Sequence, residues 1–121
     1  MIELTIPGRP VPAVRMTKKS KHVNKYAIRY LQYKTKVGWI AKQHLKEKPS
    51  RKPIEVKLKL YLAGGNQGDI DNYFKAITDS LNKIVYEDDR QIKKIDVEKI
   101  ESSKDEERAE IQIYELVPMK I

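Results

Sequence analysis

Two groups of carboxylates flank one predicted helix. Asp69 and Asp71 precede it, and a run of three acids, Glu87-Asp88-Asp89, follows it. Carboxylates are favoured at a helix N-terminus, where free N–H groups and the helix dipole attract negative charge. They are disfavoured beyond a C-terminus, so the second group needs a different explanation. Oxygen ligands of this kind suit Mg²⁺, which keeps several waters and needs few carboxylates.

Such carboxylates are suited to the hydrolysis of a phosphodiester. That reaction needs an activated water and neutralisation of the charge that develops on the phosphate, and a divalent metal supplies both. Asp69 and Asp71 share a side only where the chain is extended, because residues i and i+2 of a helix do not face each other. We therefore predict that Asp69 lies at or before the N-cap. Lys75, one turn after Asp71, is either a surface partner of that carboxylate or a cation that contacts the scissile phosphate.

The helix between the two acidic groups is predicted from apolar residues that recur at steps of three and four. They are Phe74, Ile77, Leu81 and Ile84. Such a helix is about 20 Å long at 1.5 Å per residue. Asp89 therefore reaches Asp69 only if residues 85–91 return along the helix, or if a second protomer completes the site. The return is the simpler geometry, and on that ground we favour one site per protomer.

The stretch from residue 69 to residue 91 contains, in order, D-x-D-N, a Lys four residues after the second Asp, D-x-L and E-D-D-x-Q. In this chain the motif residues are Asp69, Asp71, Asn72, Lys75, Asp79, Leu81 and Glu87-Asp88-Asp89-Arg90-Gln91. Their order and spacing resemble those of the RusA family of Holliday-junction resolvases (crossover junction endodeoxyribonucleases). The short chain and its basic N-terminal half also look like that family.

The resemblance implies a Mg²⁺-dependent endonuclease, with Mn²⁺ as an alternative metal. It implies a homodimer that cuts four-way DNA junctions by paired nicks, in DNA recombination and repair. Carried over residue by residue, it makes Asp69, Asp71 and Asp89 the metal ligands and Lys75 an essential basic residue. Asp88 is the adjacent candidate ligand if the register of the acidic run differs by one. To Asp79 we assign a structural role.

The net charge of +8 is unevenly distributed along the chain. Residues 1–52 hold 14 basic and 2 acidic residues, a balance of +12, whereas residues 53–121 hold 11 and 15, a balance of −4. A basic half beside an acidic half indicates a polyanion-binding surface next to a cation site, and nucleic acid is the usual polyanion. The predicted DNA-binding residues are Arg9, Arg15, Lys18, Lys19, Lys21 and Arg29.

The elements that must position these residues are predicted in the order β-α-β-α-β-β. Alternating apolar residues predict strands over residues 2–6, 54–62 and 109–114. A strand of mixed pattern is predicted over residues 91–100 and is joined to the last strand as a hairpin. A long helix is predicted from about Tyr26 to Lys46, with Tyr33, Val37 and Ile40 on its buried face. Two helices covering one face of a four-stranded mixed sheet give an α+β two-layer sandwich. We expect one RusA-like endonuclease domain over residues 1–121.

Composition excludes several other classes. The chain has no cysteine, which excludes disulfides and thiolate metal sites and fits a cytoplasmic location. No apolar run approaches the roughly 20 residues that span a bilayer, and the alternating N-terminus is not a signal peptide. We therefore expect no membrane association.

Three alternatives to a junction resolvase remain open at this level. A phosphoacceptor receiver module also uses a carboxylate pair, a third Asp and a Lys, but it needs repeated βα units with buried parallel strands. A non-catalytic nucleic-acid-binding protein explains the basic half equally well, and the ordered acidic motif counts against it. A metal-dependent nuclease acting on other branched DNA, such as flaps or forks, differs from a resolvase only in substrate.

Overall fold

The computed structural model describes residues 1–15 and 24–116 of the chain. Its helices and strands are, in order, β1 (Ile2–Pro7), α1 (Lys25–His44), β2 (Ile54–Leu62), α2 (Ile70–Leu81), β3 (Ile92–Glu101) and β4 (Arg108–Glu115). This is the predicted order, and the α+β class with a four-stranded mixed sheet is confirmed. Within these two ranges, no helix is long and apolar enough to cross a membrane.

The strands lie side by side in the order β1-β4-β2-β3. β4 runs antiparallel to both β1 and β2, and β3 runs parallel to β2. The hairpin predicted between the last two strands is therefore wrong. The physical reason is the difference in burial between the two strands. Ala109, Ile111 and Ile113 of β4 are all buried, so β4 lies in the centre of the sheet. Ile95 of β3 is 54% exposed, and β3 lies at the edge.

One face of the sheet packs against the helices. β2 buries Val56, Leu58 and Leu60 on this face and leaves the intervening lysines on the other. The predicted helical core is confirmed at Tyr33 and Val37, which are buried among these residues. Ile40 is half-buried against the same core. Trp39 and Tyr26 of α1 remain exposed.

Both helices are shorter than predicted. α1 ends at His44 because Leu45 is extended, with φ −107° and ψ 129°. α2 ends at Leu81, so Ile84 lies beyond it. Lys83 adopts a left-handed φ of 70°, and its N–H donates to the carbonyl of Tyr86 at 2.7 Å. This tight turn reverses the chain directly after α2. From the sequence another helical turn is expected here, because Ile84 follows Leu81 by three residues and continues the apolar spacing of the helix.

Candidate active site

The first carboxylate pair, Asp69 and Asp71, lies at the start of α2. Asp69 is the N-cap residue, as predicted, with φ −72° and ψ 147°, and its side chain makes no capping hydrogen bond. One oxygen of Asp71 accepts from the backbone N–H of Asn72 at 3.0 Å. Both residues are exposed. The pair therefore presents carboxylate oxygens to solvent at the helix end where negative charge is best tolerated.

The N-terminal loop is fastened to the same helix end. Gly68 packs so closely on Pro12 that a Cβ there would lie 2.9 Å from the proline Cγ, so a larger residue would displace the loop. The N–H of Ala13 donates to the carbonyl of Asn72 at 2.9 Å. Arg15 follows two residues later and is exposed. The start of the basic loop is thus held beside the first carboxylate pair.

Arg9 has a role that sequence reasoning did not assign. Its guanidinium donates to the carbonyls of Ala63 at 2.8 Å and Asn66 at 3.0 Å, and to the carboxylate of Glu107. Burial alone would raise the pKa of Glu107, but hydrogen bonds from the Ala63 N–H and from Arg9 outweigh it and hold that pKa below its ordinary value. Arg9, predicted as a DNA contact, is here engaged in fixing the glycine-rich loop that leads to Asp69.

Lys99 is a basic residue near this site that sequence reasoning missed. Its ammonium donates to the carbonyl of Gly68 at 2.7 Å and lies over the ring of Tyr73, 5.5 Å from the centroid. Since it comes from β3, about thirty residues along the chain, no local motif marks it. Lys75, the predicted functional lysine, is exposed on α2 one turn beyond Asp71.

A cleft of about 350 Å³ opens beside the first pair. It is lined by the N-terminal loop, the start of α1 and the loop before Asp69, with Tyr26, Arg29, Gly68 and Tyr73 among its lining residues. The structure thus places Arg29, a predicted DNA contact, near Gly68. Lys18, Lys19 and Lys21 lie outside the described residues.

The second acidic group, Asp88 and Asp89, lies beyond the other end of α2. The carboxylate of Asp88 accepts from the backbone N–H of Arg90 at 3.1 Å and from its guanidinium at 2.9 Å. The backbone hydrogen bond with Arg90, then the side-chain bonds with Asp89 and Arg90, lower the pKa of Asp88 to about 2. Asp88 therefore caps the short 3₁₀ turn Asp89–Gln91.

Asp89 is in a different electrostatic state from its neighbour. It is exposed, and its pKa is raised by the hydrogen bond with Asp88, by burial, and by the charges of Asp88 and Asp79. Asp79 also accepts a 3.4 Å hydrogen bond from the hydroxyl of Tyr30; burial, then the charge of Asp79, raise the pKa of Tyr30 to about 12. The neighbouring carboxylates thus disfavour the charged form of Asp89, and a bound cation would favour it. Asp79, by contrast, is held by its hydrogen bond from Tyr30.

The two acidic groups lie near opposite ends of α2. α2 has 12 residues, which corresponds to about 18 Å at 1.5 Å per residue. Residues 85–91 turn back against the last turns of α2, where the Tyr86 hydroxyl donates to the Thr78 carbonyl. They are also held by Ser50, whose carbonyl accepts from the Glu87 N–H at 3.1 Å and from the Gln91 side-chain amide at 2.8 Å. Within residues 1–15 and 24–116, no three His, Asp or Glu side chains form a group that could hold a metal. One complete site per protomer, the arrangement that we favour from sequence, stays a prediction.

The chain is thus a small α+β domain in which an exposed carboxylate pair at a helix N-terminus is attached to the N-terminal loop. Residues 7–114 match the family model described as endodeoxyribonuclease RusA, so the chain belongs to the RusA endodeoxyribonuclease family. It is also similar to YqaN of Bacillus subtilis (strain 168), an uncharacterized protein that is 28% identical over 90% of this chain and 88% of that one. The family acts on branched DNA and implies junction-resolving activity in general.

Proposed function

We propose that this protein is a metal-dependent endodeoxyribonuclease that resolves four-way DNA junctions by paired nicks. The observation that carries the proposal is the attachment of the basic N-terminal loop to the first carboxylate pair, through the 2.9 Å hydrogen bond from Ala13 to Asn72. The attachment supports the proposal because Arg15, an exposed arginine that can attract a DNA backbone, follows Ala13 by two residues near carboxylates that suit a divalent metal. Membership of the RusA family supports the same reaction.

The available donor atoms fit Mg²⁺, with Mn²⁺ as an alternative. Asp69 and Asp71 are exposed carboxylates, and Asp69 is free of the capping bond that its position usually makes. Hard oxygen donors of this kind suit both metals. When bound, the metal supplies an activated water and neutralises charge on the phosphate. Asp89 is the third ligand that we assign, since Asp88 is already engaged by Arg90.

Lys75 and the basic loop act on the DNA itself. The ammonium of Lys75 lies one helical turn from Asp71 on the exposed side of α2, where it can contact the scissile phosphate and stabilise the developing charge. Arg15, Arg29, Lys18, Lys19 and Lys21 contact the phosphate backbone. Such contacts position the duplex without reading its sequence, and they make affinity fall steeply with salt.

The position of the two acidic groups near opposite ends of α2 is compatible with a site completed in a homodimer. If a twofold axis brings Asp89 of one protomer to Asp69 and Asp71 of the other, the same axis forms a second, identical site. Two equivalent sites related by a twofold axis match the paired nicks that resolution of a twofold junction requires. Such a dimer would select a junction over linear duplex because the twofold shape of the junction matches the arrangement of its two sites.

The test is cleavage of a synthetic four-way junction compared with linear duplex, fork and flap DNA of the same sequence, with Mg²⁺ and with a chelator. Wild-type protein should nick the junction symmetrically and only with metal. Asp71→Asn should abolish cleavage and leave junction binding intact or tighter, because it removes a negative charge near phosphate. Asp105→Asn, which changes an exposed acid in the turn between β3 and β4, is the control. Tight binding without cleavage in Mg²⁺ or Mn²⁺ would contradict the proposal, and preferential cleavage of forks or flaps would change the substrate.

A further inference from the structure

Gly68, the residue before Asp69, is held through both of its backbone polar groups. Its N–H donates to the hydroxyl of Tyr73 at 3.1 Å, and its carbonyl accepts from the ammonium of Lys99 at 2.7 Å. The N–H and the carbonyl belong to two successive peptide groups, each of which is planar. Rotation of either peptide plane therefore breaks a hydrogen bond, so the backbone on both sides of Gly68 has a defined orientation.

The second of these peptide groups leads directly into Asp69. The carbonyl of Gly68 and the N–H of Asp69 share one plane, so the bond from Lys99 also orients the backbone from which the Asp69 side chain departs. That side chain makes no capping hydrogen bond of its own. The loop before it contains Gly64 and Gly65, and glycine leaves a backbone many conformations. The position of the Asp69 carboxylate therefore depends on what holds Gly68.

Lys99 lies on the side of β3 that faces the helices. It is paired with Leu60, which is buried on that side of the sheet. The Lys99 ammonium lies over the ring of Tyr73, 5.5 Å from the centroid, and a cation over an aromatic face is attracted to it. Tyr73 is only 2% exposed. The core therefore fixes both the ring that attracts Lys99 and the hydroxyl that accepts from the Gly68 N–H.

We propose that Lys99 is a positioning residue of the candidate active site: with Tyr73 it holds the Gly68 peptide so that the Asp69 carboxylate is oriented for a divalent metal. The consequence for metal binding rests on the proposed function. A ligand that is already oriented loses less conformational freedom when the metal binds. Loss of a group that orients a metal ligand typically weakens metal binding by about 10- to 100-fold.

The sign of the change in metal affinity separates positioning from a simple effect of charge. Lys99 is a cation near the first carboxylate pair, so its charge repels a divalent metal. If Lys99 acted through its charge alone, its removal would tighten metal binding. If it acts by holding Gly68, its removal weakens metal binding although a repulsive charge has gone. A lysine that contacts DNA would instead change DNA affinity in the absence of metal.

The experiment measures Mn²⁺ binding by calorimetry without DNA. Lys99→Met removes the donor and the charge and should raise the Mn²⁺ dissociation constant about 10-fold or more. Because Lys99 is exposed, the melting temperature should stay within about 5 °C of wild type. Lys99→Arg keeps a donor and a cation that can lie over the Tyr73 ring, so it should restore most of the affinity. Lys94→Met, at an exposed lysine on the other face of β3, is the control and should leave metal binding unchanged.

Tyr73→Phe tests the other hydrogen bond to the same residue. It keeps the ring beneath the Lys99 ammonium and removes only the hydroxyl that accepts from the Gly68 N–H. It should therefore also weaken Mn²⁺ binding. Junction binding in the presence of a chelator should be unchanged in Lys99→Met, since a positioning residue does not contact the DNA.

A second measurement needs neither metal nor DNA. Amide hydrogen exchange followed by NMR reports how firmly Gly68 is held. In Lys99→Met its N–H should exchange at least about 10-fold faster, while the N–H of Ile111 in the central strand β4 should be unaffected. Unchanged exchange at Gly68, or Mn²⁺ binding that is unchanged or tighter in Lys99→Met, would overturn the positioning role. Faster exchange and weaker Mn²⁺ binding in a protein that never cuts a junction would uphold that role and overturn the proposed function.

Discussion

The two ends of α2 carry the same kind of side chain in opposite circumstances. At the N-terminal end, Asp69 and Asp71 are exposed, and Asp69 makes no capping hydrogen bond. At the C-terminal end, Asp88 is bound by Arg90 and Asp79 by Tyr30. The helix dipole stabilises negative charge at the first end and opposes it at the second. Carboxylates at the second end are thus costly unless they hold the fold or bind a cation.

Two neighbouring carboxylates of the same motif also differ from each other in the direction of their pKa shifts. Asp88 and Asp89 are adjacent in sequence, yet the pKa of Asp88 is lowered to about 2 and that of Asp89 is raised. Asp88 therefore caps the 3₁₀ turn, whereas Asp89 is the carboxylate to which we assign a ligand role in the proposed function. If Asp89 joins Asp69 and Asp71 across a twofold axis, as we propose, the site forms only where two protomers meet.

The largest expected effect distinguishes these two neighbours. Asp89→Asn should reduce junction cleavage by about 1,000-fold or more, because a lost ligand removes both water activation and charge neutralisation. Asp88→Asn keeps an oxygen that can cap the turn, so cleavage should fall by no more than about 10-fold. Single-turnover nicking of the junction at saturating protein measures both. Equal losses in the two variants would show that Asp88 is a ligand too.

Lys75 should contribute less than a ligand. Lys75→Met should slow single-turnover cleavage by about 100-fold, because it removes one cation from the transition state. Lys83→Met changes a lysine at the opposite end of α2, also exposed, and should leave the rate within about twofold of wild type. If Lys75→Met alters only junction affinity and not the rate at saturation, the lysine binds DNA and does not act in the chemical step.

Arg15 and Arg9 should give different kinds of defect. Arg15→Ala should weaken junction binding and reduce the slope of log affinity against log salt by about 0.9, the value for one phosphate contact. Arg9→Ala should instead lower the melting temperature by several degrees, since it leaves Glu107 and the Ala63 and Asn66 carbonyls without their donor. Titrations at several salt concentrations and thermal unfolding separate them. A reduced slope in Arg9→Ala would show that Arg9 contacts DNA.

The smallest expected effect is a pH dependence of the stability of the fold that arises from Glu107, the ion-pair partner of Arg9. The pKa of Glu107 lies below its ordinary value of 4.5, so its carboxylate stabilises the fold above that pH. This stabilisation is lost as the pH falls through the pKa of the folded state. In Glu107→Gln the melting temperature should therefore depend less on pH below about 4.5. An unchanged acid profile would mean that Arg9 holds the loop without help from this charge.

The acidic motif and the N-cap position of Asp69 were predictable because both depend on local spacing. The order of the strands was not, because alternation in Ala109, Ile111 and Ile113 reveals a buried face and leaves the neighbouring strand undetermined. The end of α2 at Leu81 was not predictable either. Ile84 continues the helical period, while the left-handed turn at Lys83 depends on a hydrogen bond to the Tyr86 carbonyl. The roles of Arg9 and Lys99 depend on contacts with residues more than thirty positions away.

A mixture of two inactive variants tests the divided site most directly. Asp71→Asn and Asp89→Asn change opposite ends of α2, so a mixed dimer keeps one intact site with Asp69 and Asp71 from one protomer and Asp89 from the other. Mixing them should restore single nicks on the junction to roughly a quarter of the wild-type site number, since half the dimers are mixed and each has one good site. Asp69→Asn mixed with Asp71→Asn should stay inactive, because both changes fall on the same end. An inactive first mixture that contains mixed dimers would contradict the division of the site between two protomers.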